Sequence, residues 1–212
     1  MTSKTRSVGI FVFDDVEVLD FAGPFEVFTV ADRLQAVSPF KPFLISEKPG
    51  LIKARGDFVV QPHFDFSNCP ALDMVLIPGG GGKRADGTFF GTRMEQHNVV
   101  LREWLLRMAQ PAQRVMSVCS GALIMAQAGL FDGKSATTHR GAYGELRTIG
   151  QMKDRQFSVV EDVKHVDIGK IVSSGGISAG IDMALTVVGQ TLGMQIAQET
   201  ADYMEYGWKA PI

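Results

Sequence analysis

The chain has 212 residues, a formal net charge of −2 and 45% hydrophobic residues. That length suits one sizeable core, and no Pro/Ser-rich linker divides it, so residues 1–212 read as a single domain. The balanced charge, with no local Lys/Arg cluster, argues against a nucleic-acid surface. Two cysteines, Cys69 and Cys119, supply neither a disulfide framework nor a Cys-x-x-Cys metal pair, so neither metal nor cofactor is expected. No apolar run reaches the length needed to span a bilayer, and the first one is too short for a secretory signal. The expected setting is cytoplasmic, with no membrane or nucleic-acid partner and a thiol that stays reduced.

In chain order, Val8 to Phe13 reads as a buried strand, followed by an acidic loop from Asp14 to Asp20 and a helix opening at Pro24 and running to Asp32. Phe40 to Ser46 reads as a second strand, and Lys53 to Asp65 as a hairpin or meander. Asp73 to Pro78 is a third core strand ending in the glycine run Gly79 to Gly82. Lys83 to Gly91 is read as loop. Apolar residues at Val99, Leu101, Trp104, Leu105 and Met108 give Asn98 to Gln110 a helical spacing. Further strands are expected near Lys134 to Thr138, Phe157 to Val160 and Lys170 to Ser173. Helices are expected at Gly141 to Gly150 and Ala179 to Gly193. Strands alternating with helices, and strands that are apolar throughout, predict an α/β fold whose mainly parallel sheet is covered on both faces. In such sheets ligands bind beyond the carboxyl ends of the strands. Asp20, Gly79, Gly80 and Cys119 each follow a strand, so all four should meet at one edge.

Cys119 is the most informative residue. Arg114 to Val118 reads as a strand, and Ala122 to Gly129 as a helix with Gly129 as its stop, with almost no loop between them. A residue in so tight a turn has a strained backbone, and Gly121 lets helix and strand approach. This is a nucleophile elbow with cysteine in the nucleophile position. The helix N-terminus should favour thiolate. A buried cysteine is more often an inert packing residue, but packing alone requires neither the tight turn nor the glycine two positions on.

Leu19-Asp-Phe-Ala-Gly-Pro24, Ile77-Pro-Gly-Gly80, Ser117-Val-Cys-Ser-Gly121, Ala136-Thr-Thr-His139 and Gly175-Gly-Ile-Ser-Ala-Gly-Ile-Asp-Met-Ala-Leu185 together resemble the ThiJ/PfpI superfamily of class I glutamine-amidotransferase-like proteins. The chain is most similar to the isocyanide hydratase branch, and also to the sensor domain of AraC-type regulators, which append a helix-turn-helix region that the residues after Trp208 are too few to form. The resemblance implies a flavodoxin-like or Rossmann-like three-layer sandwich. It also implies a homodimer with the site near the subunit interface, and a small-molecule substrate.

The resemblance further implies that Asp20 is the acidic partner of Cys119. A carboxyl beside a thiolate ionises with difficulty and, protonated, can deliver its proton to substrate. The residue type equally suits an N-cap for the helix at Pro24. Gly79 and Gly80 resemble the family's oxyanion-hole strand end, with the Ser120 amide as the second donor. The Ser120 hydroxyl would hold charge or position water. Gly81 and Gly82 read as an ordinary turn. Ser120 stands where PfpI-type proteases have histidine, which removes the base a protease would use. His139 either lines the pocket or moves protons. His63, His97 and His165 read as surface residues, Cys69 as incidental and Asp182 as structural.

The resemblance implies hydration of an organic isocyanide to an N-substituted formamide through a Cys119 thioimidate. Hydration of an α-oxoaldehyde is the rival enzymatic reading, peptide cleavage a weaker one, and redox or ligand sensing the non-enzymatic alternative.

Overall fold

The computed structural model describes residues 4–36 and 38–210. In chain order the first elements are β1 (Arg6–Phe11), α1 (Val18–Arg33), β2 (Phe40–Ser46), β3 (Ile52–Lys53), β4 (Val59–Val60), β5 (Phe64–Asp65) and β6 (Met74–Ile77). Next come β7 (Gly81–Lys83), β8 (Phe89–Gly91), α2 (Thr92–Glu95), α3 (Val99–Ala109), β9 (Arg114–Ser117) and α4 (Gly121–Gln127). The last are β10 (Ser135–Ala136), α5 (Tyr143–Gly150), β11 (Ser158–Val159), β12 (His165–Asp167), β13 (Ile171–Ser174), α6 (Ala179–Leu192) and α7 (Met194–Tyr203).

Seven strands form one sheet in the order β12-β13-β9-β6-β1-β2-β5. All neighbours are parallel except β12, which runs antiparallel to β13. Every residue of β6 and β13 is buried, as strands covered on both faces should be. The helices pack in two groups, α1 with α6 and α7, and α4 with α2 and α5, giving the α/β, flavodoxin-like architecture. Adjacency of β1, β6 and β9 at the sheet's centre matters most for function. The segments leaving their carboxyl ends carry Asp20, Gly79–Gly80 and Cys119.

Several elements differ from their sequence reading. α1 opens at Val18, not at Pro24, so Asp20 lies in its first turn and Glu17 is the residue at the cap position. Pro24, inside the helix, has no N–H to give the Asp20 carbonyl four residues back. Burial of Phe21, Val27, Phe28 and Ala31 against the core outweighs that lost bond. The stretch read as a loop after Lys83 is a β7–β8 hairpin. The Lys53–Asp65 region divides, with β3 and β4 pairing antiparallel while β5 joins the edge of the main sheet. β12 and α7 had no counterpart in the sequence reading. His165 is half-buried in β12 with an unpartnered Nδ1, and burial lowers its pKa, so it is not a surface histidine.

Among the described residues no helix is long and apolar enough to cross a membrane. No group of three or more His, Cys, Asp or Glu side chains among them could hold a metal ion.

Candidate active site

Cys119 adopts φ +58°, the left-handed strain required by a strand-to-helix reversal in a single residue. Three bonds fix it. Its N–H donates to the Gly175 carbonyl at 3.0 Å, its own carbonyl accepts from Thr138 Oγ1 at 2.7 Å, and α4 starts two residues on. Gly121 is indispensable there, because a Cβ would lie 2.1 Å from the Ile77 carbonyl oxygen. The sulfur is recessed, with Cys119 only 8% exposed. It opens into a cavity of about 290 Å³ lined by Glu17, Arg55, Arg93, Ser120, His139 and Ile177, among others.

Asp20 is fully buried behind the sulfur. Its Oδ2 accepts from the Gly79 N–H at 3.0 Å, while Oδ1 has no hydrogen-bond partner. The other polar group the carboxyl meets is the Cys119 thiol. Burial, against which the Gly79 bond is the main counterweight, pushes Asp20 up to about 7. Burial and the negative charge of Asp20 push Cys119 up to about 12, against the pull of the Ser120 and Ile177 amides. The site therefore tolerates one negative charge, shared between carboxyl and sulfur, and resists a second. The expectation that the helix end alone would favour thiolate is thus reversed. α4 spans only seven residues, and burial with Asp20 outweighs its amides. The N-cap alternative for Asp20 is also excluded, since that residue lies inside α1.

The glycines gather at the site as expected but do a different job. The Gly79 N–H is taken by Asp20, and the Gly80 N–H donates to Ser120 Oγ at 3.2 Å. Neither amide is free to serve as an oxyanion donor. A Cβ on Gly79 would sit 2.6 Å from both the N and Oγ of Ser120 and 3.0 Å from Asp20 Oδ2, so this position must be glycine for Asp20 and the Cys119 turn to meet. The Ser120 hydroxyl is likewise committed. It donates to Thr92 Oγ1 at 3.1 Å, which in turn donates to the Gly80 carbonyl at 2.8 Å. Ser120 thus locks α2 to the elbow, and its backbone N–H, not its hydroxyl, faces the sulfur.

The second amide facing the sulfur belongs to Ile177, at φ +49°, a costly conformation for a β-branched residue. The sequence motif from Gly175 to Leu185 contains Ile177 but gives it no role, because no residue-type preference reveals its strain. Thr92, Thr138 and Arg93 were missed because remote segments deliver them. His139 lines the cavity, and its Nδ1 accepts from the Gly141 N–H at 3.1 Å, fixing the ring on the 3₁₀ turn at Arg140–Ala142. His63 and His97 are exposed, as read, with His63 Nδ1 accepting from the Leu44 N–H. Cys69 is partly buried, and burial pushes it up to about 11. Asp182 bonds Lys164 Nζ at 2.7 Å and the Tyr206 hydroxyl at 2.9 Å, a structural clasp.

Comparison with known proteins places the chain in a family. The chain is 33% identical to an isonitrile hydratase of Pseudomonas putida over 96% of its own length and 80% of that protein's. It is 25% identical to the Pseudomonas aeruginosa transcriptional regulator GbdR over 95% of its length, spanning about half (51%) of that longer protein. A ThiJ/PfpI family protein from Pseudomonas syringae superposes with a TM-score of 0.82 at 21% identity, covering 100% of this chain and 79% of that one. Drosophila melanogaster DJ-1beta superposes at 0.78 with 18% identity, covering 97% and 100%. The DJ-1/PfpI family model matches residues 6–190, and the chain belongs to that family.

Proposed function

We propose that this chain hydrates organic isocyanides, with Cys119 as nucleophile and Asp20 as the proton carrier. The observation that carries the reading is the Asp20–Cys119 pair, in which a fully buried carboxyl raised to about 7 meets a thiol that cannot ionise alongside it. The 33% identity to an isonitrile hydratase supports the choice of substrate.

With one charge between them, the pair interconverts between carboxylate with thiol and carboxylic acid with thiolate. The thiolate attacks the terminal carbon of R–N≡C, forming the S–C bond while the Asp20 proton passes to that carbon. The product is the thioimidate R–N=CH–S–Cys119. Asp20, now carboxylate, takes a proton from water as its oxygen adds to the same carbon, and passes that proton to the nitrogen. Collapse breaks the C–S bond as the hydroxyl proton returns to Asp20, releasing R–NH–CHO with the thiolate and the carboxylic acid restored. One water enters and one formamide leaves. The Ser120 and Ile177 amides stabilise the sulfur's charge at both ends of this cycle.

Rival readings fare less well on the same geometry. Peptide cleavage lacks the adjacent histidine base, since residue 120 is a serine whose hydroxyl is bonded to Thr92 and Gly80. Hydration of an α-oxoaldehyde through His139 would have to detach Nδ1 from Gly141 or work through Nε2. Redox sensing favours a low-pKa thiol, and Cys119 is pushed up.

The test is Cys119→Ala with p-nitrophenyl isocyanide, following formamide release. Loss of turnover to background is expected; full activity in the variant would sink covalent catalysis.

A further inference from the structure

Two guanidinium groups line the cavity in front of Cys119, and the chemistry above uses neither. Arg55 is anchored by Nε to Glu17 Oε2 at 2.6 Å and by Nη2 to the Gly81 carbonyl at 2.9 Å. Arg93, on α2, spends Nε and Nη2 on a single oxygen of Glu145, with its Nε bond at 3.1 Å. Neither Nη1 has a protein hydrogen bond among the described residues. Arg93 is mostly buried, with its side chain 16% exposed, so its position is well defined. Glu17 is the one carboxylate lining this cavity among the described residues.

A first explanation would be that the arginines stabilise the thiolate. The influences on Cys119 are its burial, the charge of Asp20 and the amides of Ser120 and Ile177, with neither arginine among them. For Asp20 only Arg55 contributes, and it comes last of the five influences. Each arginine, though paired with a glutamate, lines the cavity and keeps an Nη1 without a protein hydrogen bond among the described residues, so each retains a donor for a ligand. Half-exposed Arg55 and buried-edge Arg93, each held by one side and open on the other, are arranged to receive an anion.

We infer that the cavity selects substrates carrying a carboxylate close to the reacting carbon, with Arg93 as the principal specificity residue and Arg55 as its support. The volume of about 290 Å³ limits the ligand to a small molecule. Resting on the hydration reading, the substrate class is then a short isocyanide with an anionic end, such as an α-isocyano carboxylate. Its carboxylate would take the open edge of Arg93 while the isocyanide carbon meets the sulfur.

Cys119 itself supplies a probe that is independent of turnover. Iodoacetate and iodoacetamide alkylate a thiolate identically: the S–CH₂ bond forms, iodide leaves with the C–I electron pair, and the thiol proton passes to solvent. They differ in one carboxylate. The ratio of their rates at Cys119, divided by the same ratio for a small free thiol at equal pH and salt, should exceed one by about fivefold, a magnitude suited to a partly solvated charged contact. It should fall towards one in Arg93→Gln, fall less in Arg55→Gln and be partly kept in Arg93→Lys. Added salt should lower it in the unaltered protein. A ratio at or below that of the free thiol in the unaltered protein overturns the anion site, as does a raised ratio that neither glutamine variant changes. Turnover of isocyanoacetate against its methyl ester tests the hydration reading separately. If neither isocyanide is hydrated while the alkylation ratio is raised, the hydration reading fails and the anion site stands. If both are hydrated and the ratio is not raised, the reverse holds.

Discussion

Two aspartates are buried in the helices that pack together as α1 and α6, and they illustrate opposite uses of a buried carboxyl. Asp182 is 5% exposed and bonded through one oxygen to Lys164 and through the other to Tyr206. Asp20 is 0% exposed, receives one backbone N–H, and leaves an oxygen without an N–H or O–H partner beside a thiol. A cation and a phenol tie Asp182, on α6, to the residue just before β12 and to the segment that follows α7. Asp20 lacks such partners, and burial lets it hold its proton to about 7. Burial is common to both; the partners set them apart.

The largest expected effect breaks the Asp20 side of this contrast. Asp20→Asn should lower kcat/KM for isocyanide by about 10²–10⁴, the usual range for losing a positioned proton donor. In the unaltered enzyme kcat/KM should rise with pH through about 7, as the pair loses its first proton, and level off above. That step should vanish in Asp20→Asn.

Stability gives the next effect. The folded chain holds the Asp20 proton to about 7 while the unfolded chain releases it near 3.8, so between those values the folded state binds more protons. Stability therefore falls as pH rises through that window, by about 4 kcal/mol at roughly 1.4 kcal/mol per unit. It is unaffected by this group below about pH 4. Denaturant unfolding across the window should show the decline in the unaltered protein and its disappearance in Asp20→Asn. A flat profile in both proteins would mean that Asp20 is not held protonated.

Asp182→Asn should do the reverse of Asp20→Asn, costing about 1–3 kcal/mol of stability by weakening the Lys164 and Tyr206 bonds, with kcat per folded molecule retained. Equal loss of kcat in the two variants would erase the contrast. The smallest effect is expected at Cys69, whose thiol reaches only the Pro70 carbonyl. Cys69→Ser should shift stability by no more than about 1 kcal/mol and leave the alkylation rate of Cys119 unchanged.

Sequence made the site's location legible more readily than its wiring. A strand, a cysteine, a glycine two residues on and a helix leave few backbone solutions, so the Cys119 elbow followed from local pattern. Asp20 was legible as a partner but misplaced in a loop, because a helix running through Pro24 is decided by core burial, not by local propensity. Gly79 and Gly80 were located correctly, yet their amides were assigned to an oxyanion when Asp20 and Ser120 already occupy them. Those bonds span 59 and 40 residues and leave no local mark. Arg93 and Ile177 reach the cavity only through the packing of α2 and the turn before α6. The seven-stranded order was readable in kind, from alternating strands and helices, whereas β12 and α7 were too short or too weakly patterned to stand out.

The most direct test of the shared proton is the pH titration of the Cys119 thiolate, followed by ultraviolet absorbance or alkylation rate, in the unaltered protein and in Asp20→Asn. Removing the carboxylate charge that helps hold the thiol up should lower the Cys119 pKa while turnover collapses. A thiol pKa that stays the same or rises in Asp20→Asn would contradict the coupling on which the proposed mechanism rests.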